Sequence, residues 1–122
     1  MKTKNKILVP IDFEEQSIIA LQYAEYFANL INAELEVFTV IEEAGLLSKL
    51  FSSDELIIKL NQEVQKKIDE VVANCTSEVK INTQIVYGKP YEKILEVAKK
   101  LNPSFIFMGR SEISKYKKAL LG

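Results

Sequence analysis

Apolar and polar residues follow one another along the chain with two different periods. The first block, Ile7 to Ile11, is apolar throughout, which is typical of a parallel strand covered by helices on both faces. From Glu14 to Asn32 the apolar residues return at the spacing of one helix face. Asp12 therefore lies between a buried strand and a helix, at the edge where open α/β sheets form their binding crevices.

The alternation of strand and helix continues through the rest of the sequence. Further strands are predicted at Leu35–Ile41, Val79–Tyr87 and Ser104–Met108, the last of them short and buried. Polar residues alternate along the strand that ends at Tyr87, which is typical of a sheet edge. The order βαβαβαβα, without a linker or a repeat, predicts a single α/β domain over residues 1–122.

The predicted helices carry apolar stripes that should face the sheet. After a start signal at Ser52-Ser53-Asp54, one stripe consists of Ile57, Leu60, Val64, Ile68, Val71 and Cys75. The next helix should begin at Pro90, end before Asn102-Pro103, and bury Tyr91, Ile94, Leu95, Ala98 and Leu101. Gly109 then opens a turn into a last amphipathic segment, with Ile113, Tyr116 and Leu120 on one face.

Charge and composition exclude several classes of protein. Lys and Arg number 16 against 17 for Asp and Glu, so no net positive field would attract nucleic acid. Histidine is absent, which removes the commonest general base and metal ligand and argues against serine-hydrolase triads and zinc hydrolases. The single cysteine excludes an internal disulfide. No apolar run is long enough to cross a membrane, and we expect a cytoplasmic protein.

Four segments together resemble the universal stress protein family. They are Ile7-Leu8-Val9-Pro10-Ile11-Asp12-Phe13, the Ser17 to Ala28 helix, the Gly88-x-Pro90 turn and Phe107-Met108-Gly109, in the family's order along the whole chain. The resemblance implies a three-layer, Rossmann-like α/β domain, similar to the adenine nucleotide alpha hydrolases, with an open parallel sheet. The family's strand order is 3-2-1-4-5, so a chain that stops at Gly122 is expected to have the order 3-2-1-4 without the fifth strand.

The resemblance also implies a candidate nucleotide site. In the nucleotide-binding members, adenine and ribose lie near the first two strand ends, and the phosphates lie on a loop of pattern G-x-x-G-x9-G-[ST] after the fourth strand. Glycines there let the backbone approach an anion, and a helix amino terminus adds favourable partial charge. The positions of this sequence that match are Pro10, Ile11, Asp12, Val40, Met108, Gly109 and Gly122.

Two departures weaken the expectation of nucleotide binding. The second glycine of the loop is replaced by Glu112, and the sequence stops before the Ser or Thr that follows the third. A carboxylate about 4 Å from a phosphate charge is repelled by several kcal/mol at an effective dielectric constant near 20. We expect Glu112 to lie in the first turn of a helix behind a Ser111 cap, where its own charge fills the anion site. Asp12 has two interpretations, as the N-cap of the first helix or as a ligand contact.

The sequence leaves three classes of function for comparison. The expected one is a non-catalytic regulatory module of the stress response, since no residue has a good claim to be a general base or nucleophile. The alternative is an ATP-binding, weakly hydrolysing switch that would need Mg²⁺ to tolerate Glu112. A phosphoacceptor receiver is set aside, because Tyr87-Gly88 offers no carboxylate at the third strand's end. Phe105-Ile106-Phe107 should form an apolar edge, and we expect a homodimer in which the partner covers either the fourth strand or the last helix. We also expect an unidentified protein partner and no membrane association.

Overall fold

Strands and helices alternate along the chain as the apolar pattern predicts. The computed structural model describes residues 5–42, 54–110, 112–114 and 117. The elements in chain order are β1 (Lys6–Pro10), α1 (Glu15–Ile31), β2 (Glu34–Ile41), α2 (Asp54–Ala73), β3 (Ile81–Tyr87), α3 (Pro90–Leu101) and β4 (Phe105–Ile106). Helical residues follow at Arg110, 112–114 and 117. The predicted positions Ser52, Ser53, Tyr116 and Leu120 lie outside the described residues.

The described strands form one parallel sheet with the order β3-β2-β1-β4. β1 lies inside the sheet, with Ile7 opposite Leu35 of β2 on one side and opposite Phe105 of β4 on the other. β3 lies at an edge, as its polar alternation predicts. This order confirms the expected Rossmann-like topology, and it brings the carboxyl ends of β1, β2 and β4 together at one edge of the sheet.

Helices cover both faces of the sheet. α1 and α2 pack on one face, around a cluster that includes Ile7, Val9, Leu21 and Ile68. α3 packs on the other face, against a cluster made of Leu8, Phe38, Ile94 and Val97. Successive residues of a strand point to opposite faces, so Ile7 and Leu8 enter different clusters, and both are 0% exposed. The unbroken apolar run of β1 is therefore explained by burial on both sides.

β4 differs most from its prediction. It was expected to be buried, yet Phe105 and Ile106 are 45% and 42% exposed. Among the described residues, β4 pairs with β1 alone, so its outer side lacks a neighbouring strand. The ladder to β1 extends slightly beyond the strand itself, because the backbone N–H groups of Ser104 and Phe107 donate to the carbonyls of Lys6 and Leu8 at 2.8 and 2.9 Å.

Three predicted details within the helices and β3 also need correction. β3 begins at Ile81 and not at Val79. α3 begins at Pro90 as predicted, but Val97 is buried whereas Tyr91 is 38% exposed. α2 ends at Ala73, so Cys75 follows the helix, although its half-buried side chain still packs against the α1 and α2 cluster.

Candidate functional site

The turn after β1 is held by a network of short-range hydrogen bonds. Ser17 in the first turn of α1 is 1% exposed, and its hydroxyl accepts from the backbone N–H of Asp12 at 3.3 Å and donates to the carbonyl of Glu14 at 3.0 Å. The Asp12 carboxylate accepts from the backbone N–H of Glu14 at 3.0 Å through Oδ1. These bonds fix the Asp12 carboxylate on the exposed rim of the sheet.

The structure does not make Asp12 the N-cap of α1. The capping position belongs to Glu14, whose own side chain makes no capping hydrogen bond. The difference arises at Phe13, whose left-handed backbone (φ 66°) is not helical. The helix therefore begins at Glu15, with Glu14 as its N-cap. Asp12 therefore binds the N–H of the capping residue, in a local turn that short acidic side chains often form.

Pro10 and Ile11 lie in the core at the end of β1. Both are buried, and the backbone N–H of Ile11 donates to the carbonyl of Phe38 at 2.8 Å. Val40 and Met108 are half-buried and pack against the α3 cluster, so the structure brings them to the same face of the sheet. All four residues match the family's nucleotide site in sequence, and a contact of any of them with a ligand stays a prediction.

Gly109 is buried where the chain after β4 passes over the start of α1. A Cβ at this position would lie 2.9 Å from the backbone carbon of Gln16 and 2.9 Å from the backbone nitrogen of Ser17. Such separations are too short for any side chain other than hydrogen. Glycine is thus required here by the close approach of two backbones. Gly122, the other matching glycine, lies outside the described residues.

Glu112 is a buried carboxylate beside Gly109. It is 5% exposed, and its Oε1 accepts from the backbone N–H of Gly109 at 3.3 Å. The carbonyl of Gly109 in turn accepts from the backbone N–H of Ile113 at 3.0 Å. Glu112 therefore binds the amide that the family pattern assigns to a phosphate. That its charge takes the place of a bound anion stays a prediction. The expected cap, Ser111, lies outside the described residues.

A shallow cavity of about 280 Å³ lies between α1 and the Gly109 turn. Its lining residues are Gln16, Ile19, Ala20, Tyr23, Met108, Gly109 and Arg110. The lining is largely apolar, and Arg110 is its single charged member. The cavity is lined in part by Gly109, whose backbone the family pattern places beside the phosphates.

Two sets of contacts that hold the turn after β1 were not predicted from the sequence, namely the hydrogen bonds of Ser17 and the contact between Lys67 and Phe13. Ser17 was assigned to α1 as an ordinary helix residue, although a serine in the first turn of a helix often bonds to the preceding backbone. The Lys67 ammonium lies 5.7 Å from the centre of the Phe13 ring, a cation–π contact between α2 and the β1 turn. No pattern in the sequence connects two residues so far apart in the chain.

The two tyrosines beside Gly88 have different environments. The Tyr87 hydroxyl donates to the Asn61 side chain of α2, and burial raises the pKa of the Tyr87 phenol. Tyr87 thus packs against a helix, whereas the Tyr91 hydroxyl bonds to Glu92 at 3.4 Å on the exposed side of α3. Neither contact involves the turn after β1.

Metal-ligating clusters and membrane-spanning helices are both absent from the described residues. His, Cys, Asp and Glu side chains do not gather there in a group of three that could hold a metal ion. None of the described helices combines the length and apolar character needed to cross a membrane.

Comparison with known proteins identifies the family of this chain. The sequence profile of the universal stress protein family matches residues 4–122. The chain belongs to the universal stress protein family. Among its relatives, universal stress protein YxiE of Bacillus subtilis is 30% identical over 128 residues, which cover 97% of this chain and 86% of that protein. Universal stress protein MJ0577 of Methanocaldococcus jannaschii is 29% identical over an alignment of 134 positions, which spans 96% of this chain and 83% of that protein.

Solved structures of universal stress proteins share the fold. The structure of MJ0577 superposes with a TM-score of 0.74 at 30% identity, over 88% of this chain and 75% of that chain. A universal stress protein crystallised in complex with cAMP superposes with a TM-score of 0.57 at 17% identity, over 86% of this chain and 72% of that chain. The first comparison supports family and fold, and the second supports the fold alone.

Proposed function

We propose that this universal stress protein is a cytoplasmic, non-catalytic regulatory module of the stress response, which acts by binding a protein partner. The observation that carries the proposal is the bond between Glu112 and the Gly109 amide at 3.3 Å. The N–H group that would donate to a phosphate oxygen already donates to a carboxylate of the same chain. Binding of a phosphate at that amide would require displacement of this bond.

The electrostatics of the buried carboxylate support the same proposal. Glu112 is 5% exposed, so water would screen an ionised carboxylate there poorly. An anion placed about 4 Å from it would be repelled by several kcal/mol at an effective dielectric constant near 20. A nucleotide would therefore have to displace Glu112, or bring a cation that bridges the two charges. Candidate general bases are also few, because the chain contains no histidine.

The second candidate function is an ATP-binding switch, which the position of Asp12 favours. Its carboxylate is exposed at the carboxyl end of β1 and is oriented by Glu14. If ATP binds, Asp12 would orient the ribose or adenine end, Val40 and Met108 would contact the base, and the Gly109 backbone would face the phosphates. The present arrangement does not fit the phosphates, because the amide of Gly109 is bonded to Glu112. Mg²⁺ would have to bridge the Glu112 carboxylate and the phosphates.

Calorimetric titration with Mg-ATP separates the two candidates. The parent protein is compared with Glu112→Gly, which restores the family residue, and with Glu112→Gln, which removes the charge but keeps the side-chain volume. We expect no heat of binding from the parent. Binding restored in Glu112→Gly, more strongly than in Glu112→Gln, would identify a nucleotide site that the carboxylate has closed.

Other outcomes of the titration are equally clear. Micromolar binding by the parent would contradict the proposed module and favour the ATP switch; loss of that affinity in Asp12→Ala would then support the pose. Absence of binding in all three proteins would leave the protein partner as the ligand of the module. Circular dichroism of each variant confirms that the fold is retained.

A further inference from the structure

One face of α1 is apolar and exposed. Ile19 is 40% exposed, Tyr23 66%, Tyr26 68% and Leu30 64%. Their spacing of four, three and four residues places them in one stripe along the helix. The stripe points away from the sheet, because the buried residues of α1 are a different set, namely Ser17, Ala20, Leu21, Ala24 and Ala28.

The spacing and shape of this stripe are those of a helix-pairing surface. Intervals of four, three and four residues are the intervals between core positions of a coiled coil. A depression of about 390 Å³ lies on the stripe and is lined by Ile19, Gln22, Tyr23 and Tyr26. These are positions i, i+3, i+4 and i+7, the four residues that form the hole for a side chain of a facing helix.

We propose that α1 of a second copy of this chain packs antiparallel against the stripe, so that Tyr26 of each copy enters the hole of the other. The order of the side chains is symmetric about the midpoint between Ala24 and Glu25. A two-fold axis at that midpoint places Ile19 opposite Leu30 and Tyr23 opposite Tyr26. One patch can therefore serve both copies, as a two-fold interface requires.

The area and charge of the stripe fit a second copy of the chain. Two tyrosines and two aliphatic side chains offer on the order of 500 Å² per copy, or roughly 1,000 Å² in total, which is the lower limit for a specific interface. α1 contains no Lys or Arg, so the surface has no positive charge for an anionic membrane. The stripe is separate from the β4 edge, and the inference does not depend on the proposed function.

Sedimentation velocity with charge variants tests the interface. Tyr26→Glu places two carboxylates near the two-fold axis, while Asn29→Glu adds the same charge at an exposed position of α1 outside the stripe. We expect the mass of the parent assembly, followed up to about 1 mM, to be halved in Tyr26→Glu and unchanged in Asn29→Glu. Circular dichroism confirms the fold of both variants. Equal masses in all three proteins, or a loss of mass in both variants, would overturn the proposal.

Disulfide crosslinking tests the antiparallel register. Ile19 and Leu30 are separated by about 16 Å along one helix, whereas a disulfide needs Cα atoms within about 7 Å. In a Cys75→Ser background, the double variant Ile19→Cys/Leu30→Cys can therefore crosslink only between copies. We expect covalent dimers on oxidation of the double variant and none from either single variant. Dimers from the single variants, or none from the double variant, would overturn the antiparallel arrangement.

Discussion

Ser17 holds the turn between β1 and α1 through hydrogen bonds to two backbone groups. Replacement by alanine would leave the Asp12 N–H without its hydrogen-bond partner. Water could replace the hydroxyl only poorly, because Ser17 is 1% exposed. We expect Ser17→Ala to lower the free energy of unfolding by about 1–2 kcal/mol. Urea unfolding measures the change. Ser104→Ala is the control, because its hydroxyl bonds to Asn5 at an exposed site, and an equal loss there would contradict the prediction.

Gly109 is expected to tolerate no side chain. A Cβ there would lie 2.9 Å from backbone atoms of both Gln16 and Ser17, so one of the two segments would have to move. We expect Gly109→Ala to lower the free energy of unfolding by about 1–3 kcal/mol, the usual cost of overpacking. The matched control is Ser114→Ala, an exposed position in the same helical segment. Equal urea midpoints for both variants would show that the two backbones are not in close contact.

The Cys75 thiol provides a pH-dependent measurement. Burial, with a smaller contribution from the Glu25 carboxylate, raises its pKa above the ordinary value of 9.0. The native thiol therefore keeps its proton at pH values where the unfolded chain loses it, so its contribution to stability is present below the unfolded pKa and is lost as pH rises through the native one. We expect the midpoint of iodoacetamide alkylation against pH to be higher in native than in urea-unfolded protein. A native midpoint at or below the unfolded one would contradict this.

At the scale of single residues, the sequence predicted chemistry better than geometry. It identified Asp12, Gly109 and Glu112 as the residues of interest, because residue type and position relative to a strand end can be read directly. It could not show that Asp12 is not the N-cap of α1, since the start of the helix depends on the left-handed conformation of Phe13. Asparagine, aspartate and glycine commonly adopt that conformation, whereas phenylalanine gives no signal for it.

Two helices end at asparagines whose backbone is left-handed. Asn32 (φ 56°) follows α1 and Asn102 (φ 47°) follows α3, and each donates its backbone N–H to a carbonyl four residues earlier. An alanine is strained in this conformation and glycine is not. We expect Asn32→Ala to lower the free energy of unfolding by about 1 kcal/mol and Asn32→Gly to leave it unchanged or slightly higher. Thermal unfolding of the two variants is the measurement; equal losses in both would contradict a conformational cause.

At the scale of elements, the prediction succeeded where the apolar signal was strong. α1 was identified because its apolar positions repeat over 17 residues, and β1 because its apolar run is unbroken. The prediction that β4 is buried was wrong. Two apolar residues are too few to show a period, and their exposure depends on what lies beside the strand. The apolar stripe of α1 that includes Tyr23 and Tyr26 was not recognised, because the same helix also carries the core stripe and the two overlap in sequence.

The exposed edge of β4 leads to a prediction about the whole molecule. Phe105 and Ile106 are 45% and 42% exposed on a strand that lacks an outer neighbour among the described residues. We propose that a homodimer covers this edge, and a complex that dissociates on unfolding has a thermal midpoint that rises with protein concentration. The midpoint of the parent should rise with concentration, and Ile106→Lys should weaken that dependence because an edge lysine opposes strand pairing.

The control for the edge experiment lies on α2. Ile58 is 55% exposed there, and Ile58→Lys makes the same chemical change away from the sheet edge. It should keep the concentration dependence of the parent. A parent midpoint that stays constant over a hundredfold range of concentration would exclude a dimer of this kind.

The fold of the whole molecule was the most predictable property of the chain, because the alternation of strands and helices permits few topologies.

The inner position of β1 has a consequence for the order in which the protein is assembled during synthesis. β1 pairs with β2 across a short stretch of chain, but with β4 only after nearly all of the described residues have been made. Closing the longer loop costs more entropy, and the ribosome releases the amino-terminal half first. The β3-β2-β1 part of the sheet can therefore fold before β1 pairs with β4. Gly109 and Glu112 follow β4 in the chain, so we expect the candidate site to form after the β3-β2-β1 part of the sheet.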